Sequence, residues 1–209
     1  MGIAKEGYRF VLPPALLALA ALALGWKWVA LALGILALSF AGFFRDPERI
    51  PPVGEGLILS PADGKVVSIK KIESSGISEG GETRISVFLS PLDVHINRSP
   101  VRGLVEEVKY HKGRFFAAFR EEASDDNERN ELRIVDPQGQ RLRVVQIAGV
   151  LARRIVCYVK PGDHLERGQK LGMIMFGSRV DLFVPKGSRV DVVQGQKVKG
   201  GLSVIGRFV

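Results

Sequence analysis

Three short segments of the 209-residue chain place reactive side chains beside turn-forming residues. Residues 60–66 read SPADGKV, residues 89–100 read LSPLDVHINRSP, and residues 172–185 read GMIMFGSRVDLFVP. A serine that follows a glycine can attack the preceding carbonyl, because glycine leaves that carbonyl unhindered. A histidine near an acid can act as a general base near neutral pH. The segments therefore supply a nucleophile in Ser178, a base in His95 and acids in Asp63 and Asp93.

Each segment also fits an ordinary structural role. Asp63 precedes a glycine, as in many turns, and a glycine between two apolar runs, as at Gly177, is typical of a β-bulge. If residues 93–95 form a strand, Asp93 and His95 project to the same face, which places an acid beside the imidazole. From the residues alone, both interpretations of Gly177 and Ser178 stay open.

The elements that position these residues differ between the two ends of the chain. The whole chain has 30 basic and 22 acidic residues, and residues 45–209 carry 27 and 21 of them, a net charge of +6. This charge favours an anionic partner such as a lipid headgroup or an acidic substrate. Short basic runs without interleaved aromatic residues argue against nucleic acid. The single cysteine, Cys157, excludes an intramolecular disulfide.

Residues 1–44 predict a membrane anchor. Two apolar runs, 11–25 and 28–44, are separated by Trp26 and Lys27. A single helix through both runs would be about 51 Å long, against a bilayer core of about 30 Å. The sequence therefore predicts a hydrophobic helical hairpin; a tilted span with an interfacial helix is the alternative.

The charges beside this anchor predict its orientation. Basic residues lie at both ends of the apolar segment: Lys5, Arg9, Arg45 and Arg49. The positive-inside rule therefore places both ends, and the domain 45–209, on the cytoplasmic side of the cell membrane.

Residues 45–209 read as a mostly β domain of the barrel-sandwich type with few short helices. Short β-branched runs separated by Gly, Pro and Asp predict strands at 65–71, 84–89, 101–110, 132–135, 142–148, 155–159, 179–184, 190–193 and 202–205. The main candidate helix is 114–122, and a loop over the site is an equal alternative for this segment. A weak repeat, PGDHLERGQKLG at 161–172 and KGSRV at 186–190 with GQKVKG at 195–200, resembles the hairpins of biotinyl/lipoyl-type domains.

Taken together, these segments resemble the short form of the phosphatidylserine decarboxylase family, whose members depend on a pyruvoyl group. The similarity runs from about residue 46 to the C-terminus. It comprises, in order, PADGKV at 61–66, SPLDVHINRSP at 90–100, DNERN at 126–130 and FGS at 176–178. The joint occurrence of these motifs is specific, whereas each alone is weak.

The resemblance implies that Ser178 attacks the Gly177 carbonyl and that the precursor is cut into a large chain, 1–177, and a small chain, 178–209. Ser178 becomes the pyruvoyl group, the covalent cofactor, with no metal. His95 acts as base with Asp63 orienting it. The pyruvoyl group then forms a Schiff base with phosphatidylserine and releases CO2 to give phosphatidylethanolamine.

The resemblance also implies a set of substrate-site residues and partners. Candidates at the substrate site are Asp93, Arg98, Asn127, Glu128 and Arg129, although the last three also fit a capped loop. Long-form relatives carry a second histidine three residues after the one matching His95, and this chain has Arg98 there. The implied partners are the phosphatidylserine substrate, membrane lipids and the two chains of one precursor, with a homodimer left open and no nucleic acid.

A non-enzymatic reading remains as the alternative. A membrane-anchored carrier or adaptor of the biotinyl/lipoyl type fits the anchor and the β domain. A carrier needs a lysine at a hairpin tip, and Gly177 and Ser178 have no lysine beside them.

Overall fold

A computed structural model describes residues 2–73, 81–113, 127–149, 154–175 and 178–209. The chain divides into two compact units, Met1–Glu48 and Arg49–Val209. The division falls after Glu48 rather than after residue 44, because strand β2 (Arg45–Asp46) pairs with strand β1 (Gly2–Ile3).

The first unit is a helical hairpin. Helix α1 (Tyr8–Ala23) and helix α2 (Lys27–Phe43) are joined by a short turn. Gly25 in this turn has φ of +76°, a left-handed conformation that glycine adopts without steric cost. The rings of Phe10, near the start of α1, and Phe40, near the end of α2, lie 5.7 Å apart between centroids. The helices are therefore antiparallel, and the predicted hairpin is confirmed.

The surface of the hairpin is strongly apolar. The helical stretch Lys5–Ala23 has 19 residues and is long and apolar enough to cross a membrane. Helix α2 is also apolar and has 17 residues. Leucines of both helices are largely exposed, with Leu16 at 64% and Leu38 at 73%. Exposed apolar surface of this kind is typical of contact with lipid or with a partner, and it suggests membrane association.

The second unit is built from strands. They are β3 (Leu57–Leu59), β4 (Gly64–Ile72), β5 (Glu82–Leu89), β6 (Ile96–Arg98), β7 (Gly103–His111), β8 (Arg129–Val135), β9 (Arg141–Ala148), β10 (Ile155–Cys157), β11 (His164–Leu165), β12 (Lys170–Ile174), β13 (Ser178–Pro185), β14 (Arg189–Val190), β15 (Lys197–Val198) and β16 (Val204–Arg207). Eight of them form a sheet in the order β11-β7-β8-β9-β13-β5-β4-β15, which curls into a half-barrel. Two three-stranded sheets, β10-β12-β6 and β14-β16-β3, complete the unit.

The predicted mostly β class is confirmed, and each predicted run overlaps a strand, although most of the ends differ. Strands β3 and β6 are not predicted, because with three residues each they are too short for alternation to be recognised. The predicted helix at 114–122 lies outside the described residues.

The weak sequence repeat has a structural counterpart. Gly168 and Gly195 both have positive φ, at +77° and +92°, and each precedes a glutamine. The side-chain oxygen of Gln169 accepts a hydrogen bond from the Glu166 N–H, and that of Gln196 accepts one from the Val193 N–H. The same turn is therefore used twice, which supports the resemblance to paired hairpins.

Candidate active site

Ser178 is the first residue of β13, a strand in the middle of the eight-stranded sheet. It pairs with Leu89 of β5 on one side and with Ala148 of β9 on the other. Val180, two residues later, packs in the apolar core, so alternation along the strand points Ser178 to the same interior face. The side chain is fully buried, and its Oγ has no hydrogen-bond partner among the described residues. A buried hydroxyl normally finds a hydrogen-bond partner, so this side chain is a candidate for chemistry.

His95 presents one ring nitrogen for chemistry. It lies just before β6 and is fully buried. Its Nδ1 is 2.9 Å from the backbone carbonyl oxygen of Asp93. A carbonyl oxygen can only accept, so neutral His95 carries its proton on Nδ1 and keeps Nε2 as the basic nitrogen. This tautomer is the one that a general base at Nε2 requires.

Asp93 lies in a turn and not in a strand. Its N–H donates to the Ser90 carbonyl at 2.9 Å, and its carboxylate accepts from the Ser90 N–H at 2.8 Å. Pro91 occupies the second position of this turn, where its fixed φ is favoured. The expectation that strand alternation sets the Asp93 carboxylate beside His95 is therefore wrong. Asp93 contacts the imidazole through its backbone.

His95 and Ser178 face the same interior from two different sheets. The Ile174 N–H lies 3.4 Å from the His95 carbonyl, so His95 extends β6 alongside β12. Ile174 packs in the core that contains Leu89 and Val180, and cross-strand neighbours project to one face. Ile174 precedes Ser178 by four residues, which limits their Cα atoms to about 14 Å apart. The Ser178 Oγ has no hydrogen-bond partner among the described residues, so it is not hydrogen-bonded to the His95 Nε2 in this structure. Transfer of a proton from this hydroxyl to His95 would require the two atoms to move closer.

The Asp63 carboxylate is bound by Arg49 and Gly200. The Arg49 Nη1 and Nη2 atoms donate to its two oxygens, the second at 2.8 Å. The Gly200 N–H donates to the first oxygen at 2.8 Å, and Arg49 also donates to the Gly200 carbonyl. These contacts account for both carboxylate oxygens. The expected role of Asp63 in orienting His95 stays a prediction.

Arg98 lies at the end of β6 beside a cationic cleft. Its buried guanidinium donates from Nη1 to the Gly168 carbonyl at 3.0 Å. The cleft, of about 680 Å³, is also lined by Arg49, Arg167 and Lys170 and by the acids Asp163 and Glu166. A surplus of cations suits a phosphate or carboxylate group.

The side chains of residues 127–129 lie in different surroundings. The Asn127 amide donates at 2.7 Å to the carbonyl of Ala148, the strand partner of Ser178. Glu128 instead interacts with the half-exposed Tyr110. Burial raises the pKa of Tyr110, and the hydrogen bond and negative charge of Glu128 raise it further. Arg129 begins β8 and pairs with Ile147. Asn127 contacts Ala148 through its side chain, and Glu128 does so only through its backbone carbonyl, which accepts from the Ala148 N–H at 2.9 Å.

Three buried amide side chains form a hydrogen-bonded row that the sequence analysis did not predict. The Asn130 Nδ2 donates to the Gln146 Oε1 at 3.0 Å, and the Gln146 Nε2 donates to the Asn97 Oδ1 at 2.8 Å. The available signal is Gln146 itself, a polar residue within the apolar run VVQIA at 144–148. Arg49 is likewise missed as a partner of Asp63, because ion pairs between distant residues leave no local pattern.

Gly177 and Asp126 lie outside the described residues. Within the described ranges, no group of three or more His, Cys, Asp or Glu side chains could hold a metal ion.

Comparison with known proteins identifies the family. Residues 36–206 match the family model for phosphatidylserine decarboxylase. A phosphatidylserine decarboxylase proenzyme of Gluconobacter oxydans is 44% identical over 206 residues, covering 95% of this chain and 91% of the relative. The proenzyme of Nitrosomonas eutropha is 44% identical, covering 99% and 95%. That of Carboxydothermus hydrogenoformans is 49% identical, covering 87% and 85%. The chain therefore belongs to the phosphatidylserine decarboxylase family.

Proposed function

We propose that this protein is a phosphatidylserine decarboxylase proenzyme that cuts itself between Gly177 and Ser178 and carries a pyruvoyl group at the new terminus. The observation that carries the proposal is the fully buried Ser178 hydroxyl, which has no partner among the described residues and opens a central strand. The relatives are named proenzymes, which agrees with a precursor that is processed.

Maturation uses groups of this chain. The Ser178 Oγ adds to the Gly177 carbonyl carbon while the His95 Nε2 takes the hydroxyl proton. The peptide C–N bond breaks, the released amine takes up that proton, and an ester links the two chains. Loss of the Ser178 Cα proton then expels the Gly177 carboxylate. The dehydroalanine that remains tautomerises, adds water and loses ammonia, which leaves the pyruvoyl group.

The surroundings of Ser178 fit a small planar group. Leu89 and Ala148 flank the position through the strand ladder, and Asn127 fixes the Ala148 carbonyl. Full burial keeps the group away from bulk solvent and its competing nucleophiles. The pyruvoyl group supplies a carbonyl that takes the substrate amine and accepts the electron pair left by CO2.

Other residues act on the substrate. The Asp93 carbonyl holds the Nδ1 proton of His95, so His95 Nε2 can pick up a proton and return it to the substrate carbon after CO2 leaves. Arg98 and the cleft beside it offer positive charge to the headgroup phosphate or carboxylate.

The membrane anchor brings the site to its lipid. The exposed leucines of the hairpin support burial in a bilayer, and the basic residues at both ends support a cytoplasmic catalytic unit. Phosphatidylserine would then be reached without leaving the membrane, and the product would remain there.

Intact-mass analysis of the purified full chain tests this proposal. The expected result is two chains, with the small one beginning at position 178 with a blocked terminus that reacts with hydroxylamine. Ser178→Ala should stay as one chain, and only the cut protein should convert phosphatidylserine to phosphatidylethanolamine. A carrier or adaptor would remain a single chain, and that outcome in the wild-type protein overturns the proposal.

A further inference from the structure

Asn97 has a buried donor that no group in the described part of the chain accepts from. The residue is fully buried, and its Nδ2 has no hydrogen-bond partner among the described residues. An amide nitrogen of this kind carries two N–H groups, and leaving them unpaired inside a protein costs about 1–3 kcal/mol. Ser178 and Asn97 are thus both buried, and each has a polar atom with no hydrogen-bond partner within the described ranges.

The orientation of Asn97 is set by the row of amides. Gln146 donates to the Asn97 Oδ1, and Asn130 donates to the Gln146 Oε1. In this arrangement the Asn97 Oδ1 already accepts a hydrogen bond from Gln146, and the Asn97 Nδ2 is the last donor of the row. Gly172 makes the reach of Gln146 possible, since a Cβ at this position would lie 3.1 Å from the Gln146 Nε2.

Asn97 and Ser178 share the interior between the sheets. Gln146 pairs with Val180 and lies two residues from Ala148, the strand partner of Ser178. Diagonal neighbours in a sheet are about 7–8 Å apart. The Gln146 amide bridges this face to Asn97, which lies two residues beyond His95 on the opposite sheet. His95, Asn97 and Ser178 are therefore all buried and face the interior between the sheets.

We propose that the Asn97 Nδ2 donates to an oxygen carrying negative charge beside Ser178, with Gln146 as its positioning residue. This inference rests on the proposed function. Two sources supply such an oxygen: the Gly177 carbonyl oxygen after Ser178 attacks, and the carboxylate of the substrate. Both are strong acceptors for a preorganised neutral donor in a dry site.

Asn97→Asp is the informative variant, because it keeps the shape and the oxygen that Gln146 contacts but removes the donor. If the oxygen is that of Gly177, self-cleavage slows about 100-fold or more. If it is the substrate carboxylate, the precursor matures normally and KM for phosphatidylserine in mixed vesicles rises about tenfold. A protonated carboxyl can donate again, so the defect relative to wild type should shrink as pH falls.

Gln196→Glu, an equal change in a distant exposed turn, is the control and should match wild type. Asn97→Ala and thermal unfolding keep the test decisive if Asn97→Asp folds poorly. Wild-type cleavage rate and KM in a folded Asn97 variant would overturn this inference and leave the proposed function intact. Failure of the wild-type chain to cleave would instead overturn the proposed function.

Discussion

Arg49 and Asp63 form a two-pronged ion pair that is almost closed to water, with side chains 6% and 11% exposed. The same arginine donates to the Gly200 carbonyl. Arg49 is the first residue of the second unit, Asp63 belongs to the large chain, and Gly200 would belong to the small chain. This contact thus links segments that maturation would separate.

Replacing Asp63 should destabilise the fold strongly. Asp63→Asn leaves the Arg49 charge buried without its counterion, which costs about 3–5 kcal/mol. Urea unfolding in the uncut Ser178→Ala background measures the loss. The control is Asp191→Asn, which removes the more exposed ion pairs with Arg189 and Arg207 and should cost far less, because solvent screens exposed pairs. Equal losses at the two sites would contradict a structural role for the buried pair.

The same variant tests whether Asp63 also orients His95. If it does, the pH profile of self-cleavage will change in Asp63→Asn at temperatures where the protein stays folded. If the pH profile of self-cleavage is unchanged while the free energy of unfolding falls, Asp63 stabilises the fold and does not orient His95.

We expect His95 to contribute to self-cleavage through its Nε2 atom, and Asp93 through its backbone carbonyl. His95→Asn keeps a donor for the Asp93 carbonyl but loses the base, so self-cleavage should slow by about 10²–10⁴-fold. Asp93→Asn keeps both the carbonyl and a turn-capping oxygen, and should stay within a few-fold of wild type. The fraction of cut chain over time decides between them. A comparable defect in Asp93→Asn would mean that the carboxylate itself is required.

The two chains should remain together after cleavage. Strand β13 pairs with β5 and β9, β15 pairs with β4, and β16 pairs with β3. Apolar side chains of β13 such as Leu182 lie in the common core. Size-exclusion chromatography of the cut protein should give one species in native buffer and two in denaturant. Release of the small chain in native buffer would contradict this topology.

Tyr110 should titrate above its ordinary pKa. Burial is the main cause, followed by the hydrogen bond and the charge of Glu128. Because the folded-state pKa is above the unfolded value of about 10, the associated stability is present below that pH. It is lost as pH rises through the folded-state pKa. Absorbance titration against Tyr110→Phe should show this pKa, and Glu128→Gln should lower it. If the pKa of Tyr110 is unchanged in Glu128→Gln, the Glu128 carboxylate does not contact Tyr110.

Gly172→Ala should disturb the interior between the sheets. A Cβ at this position would lie 2.2 Å from the Val156 carbonyl and would crowd the Gln146 amide. Because the backbone cannot give way freely, overpacking should cost about 1–3 kcal/mol. The midpoints of thermal unfolding of Gly172→Ala, Gly139→Ala and the wild-type protein test this expectation. Unlike Gly172, Gly139 has room for a Cβ, but its φ is +84°, so that control measures backbone strain without crowding. Equal stability of Gly172→Ala and wild type would contradict the close approach.

Local sequence by itself determined the elements and the reactive residues. Apolar runs split by Trp26 and Lys27 predict the hairpin, and β-branched runs between turn residues predict the strands, because these signals depend on neighbours in the chain. The Gly-Gln pairs mark both repeated turns for the same reason, and the motifs around Ser178 and His95 indicate the family.

Tertiary structure decided which of those residues meet. Strand β13 is inserted between β5 and β9, which buries Ser178, and the turn at Ser90 directs the Asp93 carboxylate away from the role expected in a strand. Asp63 meets Arg49 and Gly200, and Gln146 meets Asn97. The partners in these contacts are distant in sequence, so their meeting follows from the packing of whole sheets, and no pattern of neighbouring residues records it.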